Sequence, residues 1–218
     1  MPNESENTRP TISNIRKMLS QAEKGGVQNT IQNCVTVLQN DPILADSIRL
    51  NLLSERIDIV KPMGWQRSGP TLTDTDMMYI LRRMEKYGLY SEKRVSAAIR
   101  IVANENHYHP IRDYLNELKW DGTARISRAL HRFLGAAEDE LTTEALKIFL
   151  LGAIKRVFHP GCKFEMMLCL VGGQGAGKSS FFRLLAIKDE WFSDDLRRLD
   201  DDNVFRKLQG HWIMEMSE

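Results

Sequence analysis

The chain has 218 residues, 42% of them hydrophobic and 27% charged, with a formal net charge of +1. That length allows one or two domains with a packed core, and the near-neutral balance excludes a whole-chain electrostatic argument for nucleic acid, leaving only local basic faces. Three cysteines, Cys34, Cys162 and Cys169, lack C-x-x-C spacing and read as free thiols of a reducing compartment; without a basic-then-apolar leader or an apolar run of membrane-spanning length, the expected location is cytoplasmic, with no membrane partner.

Residues 1–27 mix Asn, Ser, Glu and Lys and end at Lys24-Gly25-Gly26, a composition that predicts a flexible tail or linker broken by a short helix around Ile12 to Gln21. From Thr30, the apolar residues Ile31, Cys34, Val35 and Leu38 recur at helical spacing, and Asn40-Asp41-Pro42 closes that helix. Ile48, Leu50 and Leu52 alternate, and Ile57-Asp58-Ile59-Val60 follows a tight turn at Ser54-Glu55-Arg56. This predicts a two-stranded hairpin with Asn51 and Asp58 on its polar face. Pro62, Gly64, Gly69 and Pro70 then make a loop whose large apolar anchor is Trp65.

Thr73 and Asp76 form a variant capping box ahead of Met77, Met78, Leu81 and Met84, and Tyr87-Gly88 stops the helix. A second helix carries Val95, Ala98, Ile99 and Val102 on one stripe. The pair invites a helix-turn-helix reading with Lys93, Arg94 and Arg100 as phosphate contacts, against the plainer reading of a solvated charged face. His107-Tyr108-His109-Pro110 lacks zinc-ligand spacing and reads as the start of a helix through Leu115 and Leu118. Asp121-Gly122 marks a turn. Ile126, Leu130, Phe133 and Leu134 form a further stripe closed by Gly135, and Thr142 or Thr143 is expected to cap a helix from Glu144 to about Phe158.

The most informative stretch follows. An apolar run, 166–171, predicts a buried strand that includes Cys169, and it leads into Gly172-Gly173-Gln174-Gly175-Ala176-Gly177-Lys178-Ser179-Ser180, a Walker A loop. Glycines let backbone N–H groups curl around a phosphate, and the predicted helix from Lys178 to about Ile187 turns its unpaired amides and dipole toward the same anion. Lys178 is placed to reach the β- and γ-phosphates of ATP, and Ser179 to hold Mg²⁺. The competing reading is a glycine-rich strand-to-helix turn that binds nothing.

Near the far end, residues 211–218 read as a Walker B strand. Hydrolysis needs one acidic group to organise hydrated Mg²⁺ and another to orient the attacking water; Glu215 is the candidate for the first role and Glu218 for the second. The acids Asp194, Asp195, Asp200, Asp201 and Asp202 alternate with Arg197 and Arg198 and read as a solvated segment.

Several stretches together resemble the virulence-associated E family of phage and mobile-element ATPases. They are 104–115, Leu118-Lys119-Trp120-Asp121-Gly122-Thr123, Arg156-Val157-Phe158-His159-Pro160-Gly161-Cys162-Lys163-Phe164, the Walker loop, Glu190-Trp191-Phe192-Ser193-Asp194 and Gln209-Gly210-His211-Trp212-Ile213-Met214-Glu215. The resemblance implies a P-loop ATPase related to superfamily 3 helicases and the AAA+ group, acting on DNA, ring-forming when complete and often encoded beside or fused to a primase. The expected fold is α/β: residues 28–140 a mostly helical accessory region, and 141–218 the first part of a P-loop parallel-sheet domain, incomplete at its C-terminus. ATP and Mg²⁺ are the expected cofactors. Two alternatives stand beside this reading, a non-catalytic nucleotide-dependent interaction module and, more remotely, a small-molecule kinase.

Overall fold

The computed structural model describes residues 10–198 and 204–216. The chain is α/β and divides into two compact units, Met1–Tyr108 and His109–Glu218. The division falls between the two histidines of His107-Tyr108-His109 rather than at 27 and 140, because the segments on either side of those expected boundaries pack within one unit.

The first unit contains α1 (Ile12–Met18), α2 (Ile31–Asn40), β1 (Ile48–Asn51), β2 (Arg56–Ile59), α3 (Asp74–Glu85) and α4 (Glu92–Glu105). The expected tail is here a core element from Ile12 onward. Thr11 caps α1, and Ile15 and Leu19 are buried with the α2 and α4 stripes. Apolar side chains at helical spacing gain by leaving water together, which draws a short helix of marginal intrinsic stability onto a larger neighbour. Asn33 fastens the return, accepting from the Ser20 amide and donating to the Ser20 and Gln28 carbonyls.

The capping box at α3 is formed as the spacing predicts, with the Thr73 hydroxyl accepting from the Asp76 amide and Asp76 accepting from the Thr73 amide. Asp76 also accepts from Trp65 Nε1 and from the Arg67 guanidinium, so the loop anchor Trp65 is held at both ends, its ring stacked on Tyr79 at 4.9 Å. Burial alone would raise the Asp76 carboxyl, but the hydrogen bonds from Arg67, Trp65 and Thr73 outweigh it and hold the group well below the usual carboxylate range. α4 packs against α2 and β1, so its apolar stripe closes the core with those elements.

β1 and β2 pair antiparallel in the register Ile48↔Ile59, Arg49↔Asp58, Leu50↔Ile57, Asn51↔Arg56. Because side chains alternate, Ile48, Leu50, Ile57 and Ile59 face the helical core. The expectation of a water-facing polar side is corrected here. Asp58 is only 2% exposed, and its Oδ2 accepts from Asn51 Nδ2 and from the Tyr108 hydroxyl. Tyr108 reaches it by bridging in parallel alongside Asn51, a long-range pairing that no local pattern announces.

The second unit contains α5 (Pro110–Glu117), α6 (Ile126–Leu134), α7 (Glu140–Phe158), α8 (Lys178–Leu185), β3 (Phe192–Ser193), α9 (Val204–Leu208) and β4 (Ile213–Met214). α6 ends at Gly135, whose φ of 66° lies in the left-handed region that glycine adopts without strain. α7 starts earlier than expected, because Asp139 rather than Thr142 or Thr143 is its cap, accepting from the Thr142 amide. α6, α7 and α8 meet at Leu130, Leu146 and Phe181, with Leu168 and Leu170 against the same cluster.

Two expectations are corrected in this unit. Residues 166–171 run without a strand partner among the described residues, and Val171 is 94% exposed. Cys169 is exposed rather than buried. A strand is defined by a neighbour's hydrogen bonds, and the described sheets are two-stranded pairs, β1–β2 and β3–β4, neither of which reaches this segment. A parallel sheet of P-loop size is not among the described elements.

Candidate functional site

The site begins with the turn into α8. Gly175 and Gly177 have φ of 79° and 82°, and at both a side chain would be strained. Gly177 is the N-cap and has no side chain with which to satisfy the first-turn amides of α8. Those amides and the positive end of the helix dipole are therefore open to an anion. Gln174 and Ala176 lie in the turn; Lys178, Ser179 and Ser180 open the helix.

The Lys178 ammonium folds across the loop, donating to the carbonyls of Gly172 at 2.7 Å and Gly173 at 2.9 Å. Both contacts are to neutral acceptors that a more strongly charged oxygen would outcompete.

Glu215 arrives from the other side. β3 and β4 are parallel, with Phe192 opposite Ile213 and Ser193 opposite Met214, and the Glu215 amide donates to the Ser193 carbonyl at 2.8 Å. Glu215 thus stands just past the carboxyl end of β4, the edge at which parallel α/β sheets place their ligands. Ser179 Oγ donates to Glu215 Oε1 at 2.6 Å. Glu215 Oε2 is buried and has no hydrogen-bond partner among the described residues. A carboxylate oxygen withdrawn from water without a partner costs about 1–3 kcal/mol or more, so this atom marks a position that a donor or cation would stabilise.

α8 is braced against β3. Arg183 sits 5.2 Å from the Phe192 ring centroid and pairs with Asp194 at 3.6 Å, so Asp194 has a partner on the loop helix rather than being only a solvated acid. Glu218 lies outside the described residues, as do Asp200, Asp201 and Asp202. Among the expected site residues, the structure brings together Lys178, Ser179 and Glu215. Sequence reasoning does not single out Phe164 or Trp212, which hold the two arms of this site onto α7. In the sequence both stand only within the stretches that carry the family resemblance, and no spacing rule gives either a role.

α5 begins with a histidine cap. His109 Nδ1 accepts from the Arg112 amide at 3.4 Å, and Pro110 takes the first helical position. Burial and the nearby Arg112 charge hold His109 below its ordinary value. Arg112 in turn donates to the Val157 carbonyl at 2.7 Å, joining α5 to the end of α7.

No helix among the described residues is long and apolar enough to cross a membrane. No curated protein matches the chain. Residues 115–218, which carry the glycine loop, α8 and the Glu215 strand, match the Virulence-associated protein E-like domain, and this supports the virulence-associated E family.

Proposed function

We propose that the second unit is the ATP-binding portion of a helicase-like P-loop ATPase that acts in phage or mobile-element DNA replication. One observation supports this above the rest: a Ser179–Glu215 hydrogen bond of 2.6 Å beside a lysine folded over a glycine turn. A glycine-rich turn that bound nothing would have no need to bring a carboxylate from 36 positions away onto the second helical residue.

Mg²⁺ fits the residues present. Ser179 and Glu215 offer the oxygen donors this ion takes, and the orphaned Glu215 Oε2 is the acceptor it would satisfy. When bound, the ion neutralises charge on the phosphate oxygens. Gly177 and the α8 amides bind the phosphates, Lys178 exchanges its carbonyl partners for phosphate oxygens, and Glu215 orients the Ser179 hydroxyl. Glu218 is proposed as the acid that orients the attacking water. DNA, further copies of the chain in a ring and a primase are the proposed partners.

The test is calorimetric titration of ATP into the full chain and into Lys178→Ala. Loss of the ammonium weakens binding by about ten- to a hundredfold, the worth of a charged hydrogen-bonding group. Equal affinity for the two proteins overturns the reading. A second reading, a nucleotide-dependent interaction module without turnover, is favoured by segment 166–171, which has no strand partner among the described residues. A DNA-stimulated ATPase assay separates the two, since only the motor responds to DNA.

A further inference from the structure

We propose that the step at Gly152 and Ala153 in α7 is a fulcrum that sets the loop and Glu215 in register, with Gly152, Phe164 and Trp212 as positioning residues. The proposal rests on the nucleotide reading above and concerns the same site.

The loop arm is gripped first. A Cβ at position 152 would lie 2.2 Å from Phe164 Cζ, so glycine is what allows the Phe164 ring to lie against the helix. One turn further along α7, the Arg156 guanidinium sits 5.8 Å from the Phe164 ring centroid and donates to the Phe164 carbonyl at 3.0 Å. Ring and backbone of Phe164 are thereby held together. From there the chain runs through 166–171 to Gly172 without a sheet ladder among the described residues, so side-chain anchors set where the loop lies. Those anchors are Phe164 on α7 and Leu168 and Leu170 on the cluster of Leu130, Leu146 and Phe181.

The acid arm is gripped at the next residue. Trp212 Nε1 donates to the Ala153 carbonyl at 3.2 Å, and its ring meets Trp191 edge-on at 6.3 Å. Three residues later the chain delivers Glu215 to Ser179. Adjacent residues of one rigid helix therefore hold both segments whose ends meet in the 2.6 Å Ser179–Glu215 contact. A displacement of about 1 Å at either grip is enough to break a contact of that length.

The two arms have separable effects on ATP binding by the full chain, measured by calorimetry in EDTA and in excess Mg²⁺, with circular dichroism as the check on folding. Gly152→Ala dislodges Phe164 and weakens ATP by about tenfold in both conditions. Adding Phe164→Leu, which shortens the displaced ring, restores affinity to that of Phe164→Leu alone. Trp212→Phe keeps an aromatic ring but loses the indole N–H. It leaves ATP affinity in EDTA within about twofold and removes roughly tenfold of the gain conferred by Mg²⁺.

Wild-type affinities in folded Gly152→Ala, or an unchanged Mg²⁺ gain in Trp212→Phe, overturn the fulcrum while leaving the nucleotide site standing. Failure of the wild type to bind ATP overturns both. If Gly152→Ala does not fold, the Mg²⁺ gain of Trp212→Phe decides the matter. An equal loss with and without Mg²⁺ in Trp212→Phe also counts against the proposal, because a merely structural tryptophan would act in that way.

Discussion

Ser179 and Glu215, 36 positions apart, share a 2.6 Å hydrogen bond, and the second carboxylate oxygen of Glu215 is buried and unpaired among the described residues. The asymmetry is informative. A carboxylate serving only to brace the Ser179 hydroxyl would be better placed with its other oxygen in water.

Glu215→Gln tests the charge while keeping the shape. The amide can still accept from Ser179, so ATP affinity in EDTA is expected within about threefold of wild type, while the additional affinity conferred by Mg²⁺ falls by about tenfold or more. Titrations with and without Mg²⁺ check it. A full Mg²⁺ gain in the variant would remove Glu215 from the site.

Asp41 should be a major stability determinant of the first unit. It is fully buried, pairs with Arg83 Nε at 2.8 Å, accepts from the Tyr87 hydroxyl and from the Ile43 and Leu44 amides, and joins the end of α2 to α3. Asp41→Ala leaves those donors unmatched and is expected to cost about 3–5 kcal/mol. Urea unfolding followed through the first unit measures it; a cost below about 1 kcal/mol would mean that the network relaxes onto water.

Acid should act on the first unit through Asp76. Its carboxyl is held below its ordinary value of 3.8, so the unfolded chain takes up the proton first as pH falls. The stability contributed by the capping box and the Arg67 pair is therefore complete above about pH 4 and is lost as pH falls through the folded value. Asp76→Asn should be less stable at neutral pH and should show a shallower fall on acidification. Thermal unfolding between neutral pH and about pH 3 reads both effects.

His109 gives the second unit a dependence in a higher range. Its folded value lies below 6.5, so the unfolded chain binds the proton preferentially. Stability is retained above that value and declines as pH falls below it, because the protonated Nδ1 cannot accept from the Arg112 amide. His109→Asn, which caps without titrating, should flatten this slope, and the cap is worth about 1 kcal/mol. Melting of the second unit across pH 7.5 to 5.5 would be expected to show the difference.

Much of the local structure is legible without the fold. The capping box at Thr73 and Asp76, the Gly135 stop, the hairpin at 48–59 and the helix after Gly177 all rest on contacts within a few residues, and each forms where the pattern places it. Residues 166–171 show the limit of that logic. Their apolar character predicts a strand, yet a strand exists only when a neighbour supplies hydrogen bonds, and no described segment does. Asp58 shows another limit. Period-two alternation assigns it to the polar face, but Tyr108, brought alongside Asn51 from 50 positions beyond Asp58, buries that face.

For the proposed site, the sequence alone supplies the local pattern from which an anion cradle is read, because glycines, a lysine and a helix start stand in fixed order within nine residues. Only the tertiary structure shows that Glu215 meets Ser179 and what holds the two together. Glu215 reaches Ser179 because β4 pairs with β3 and Trp212 and Phe164 seat on neighbouring residues of α7. Those contacts depend on close packing against α7, where one Cβ at position 152 would collide with an aromatic ring, and a linear pattern of residue types does not encode that fit.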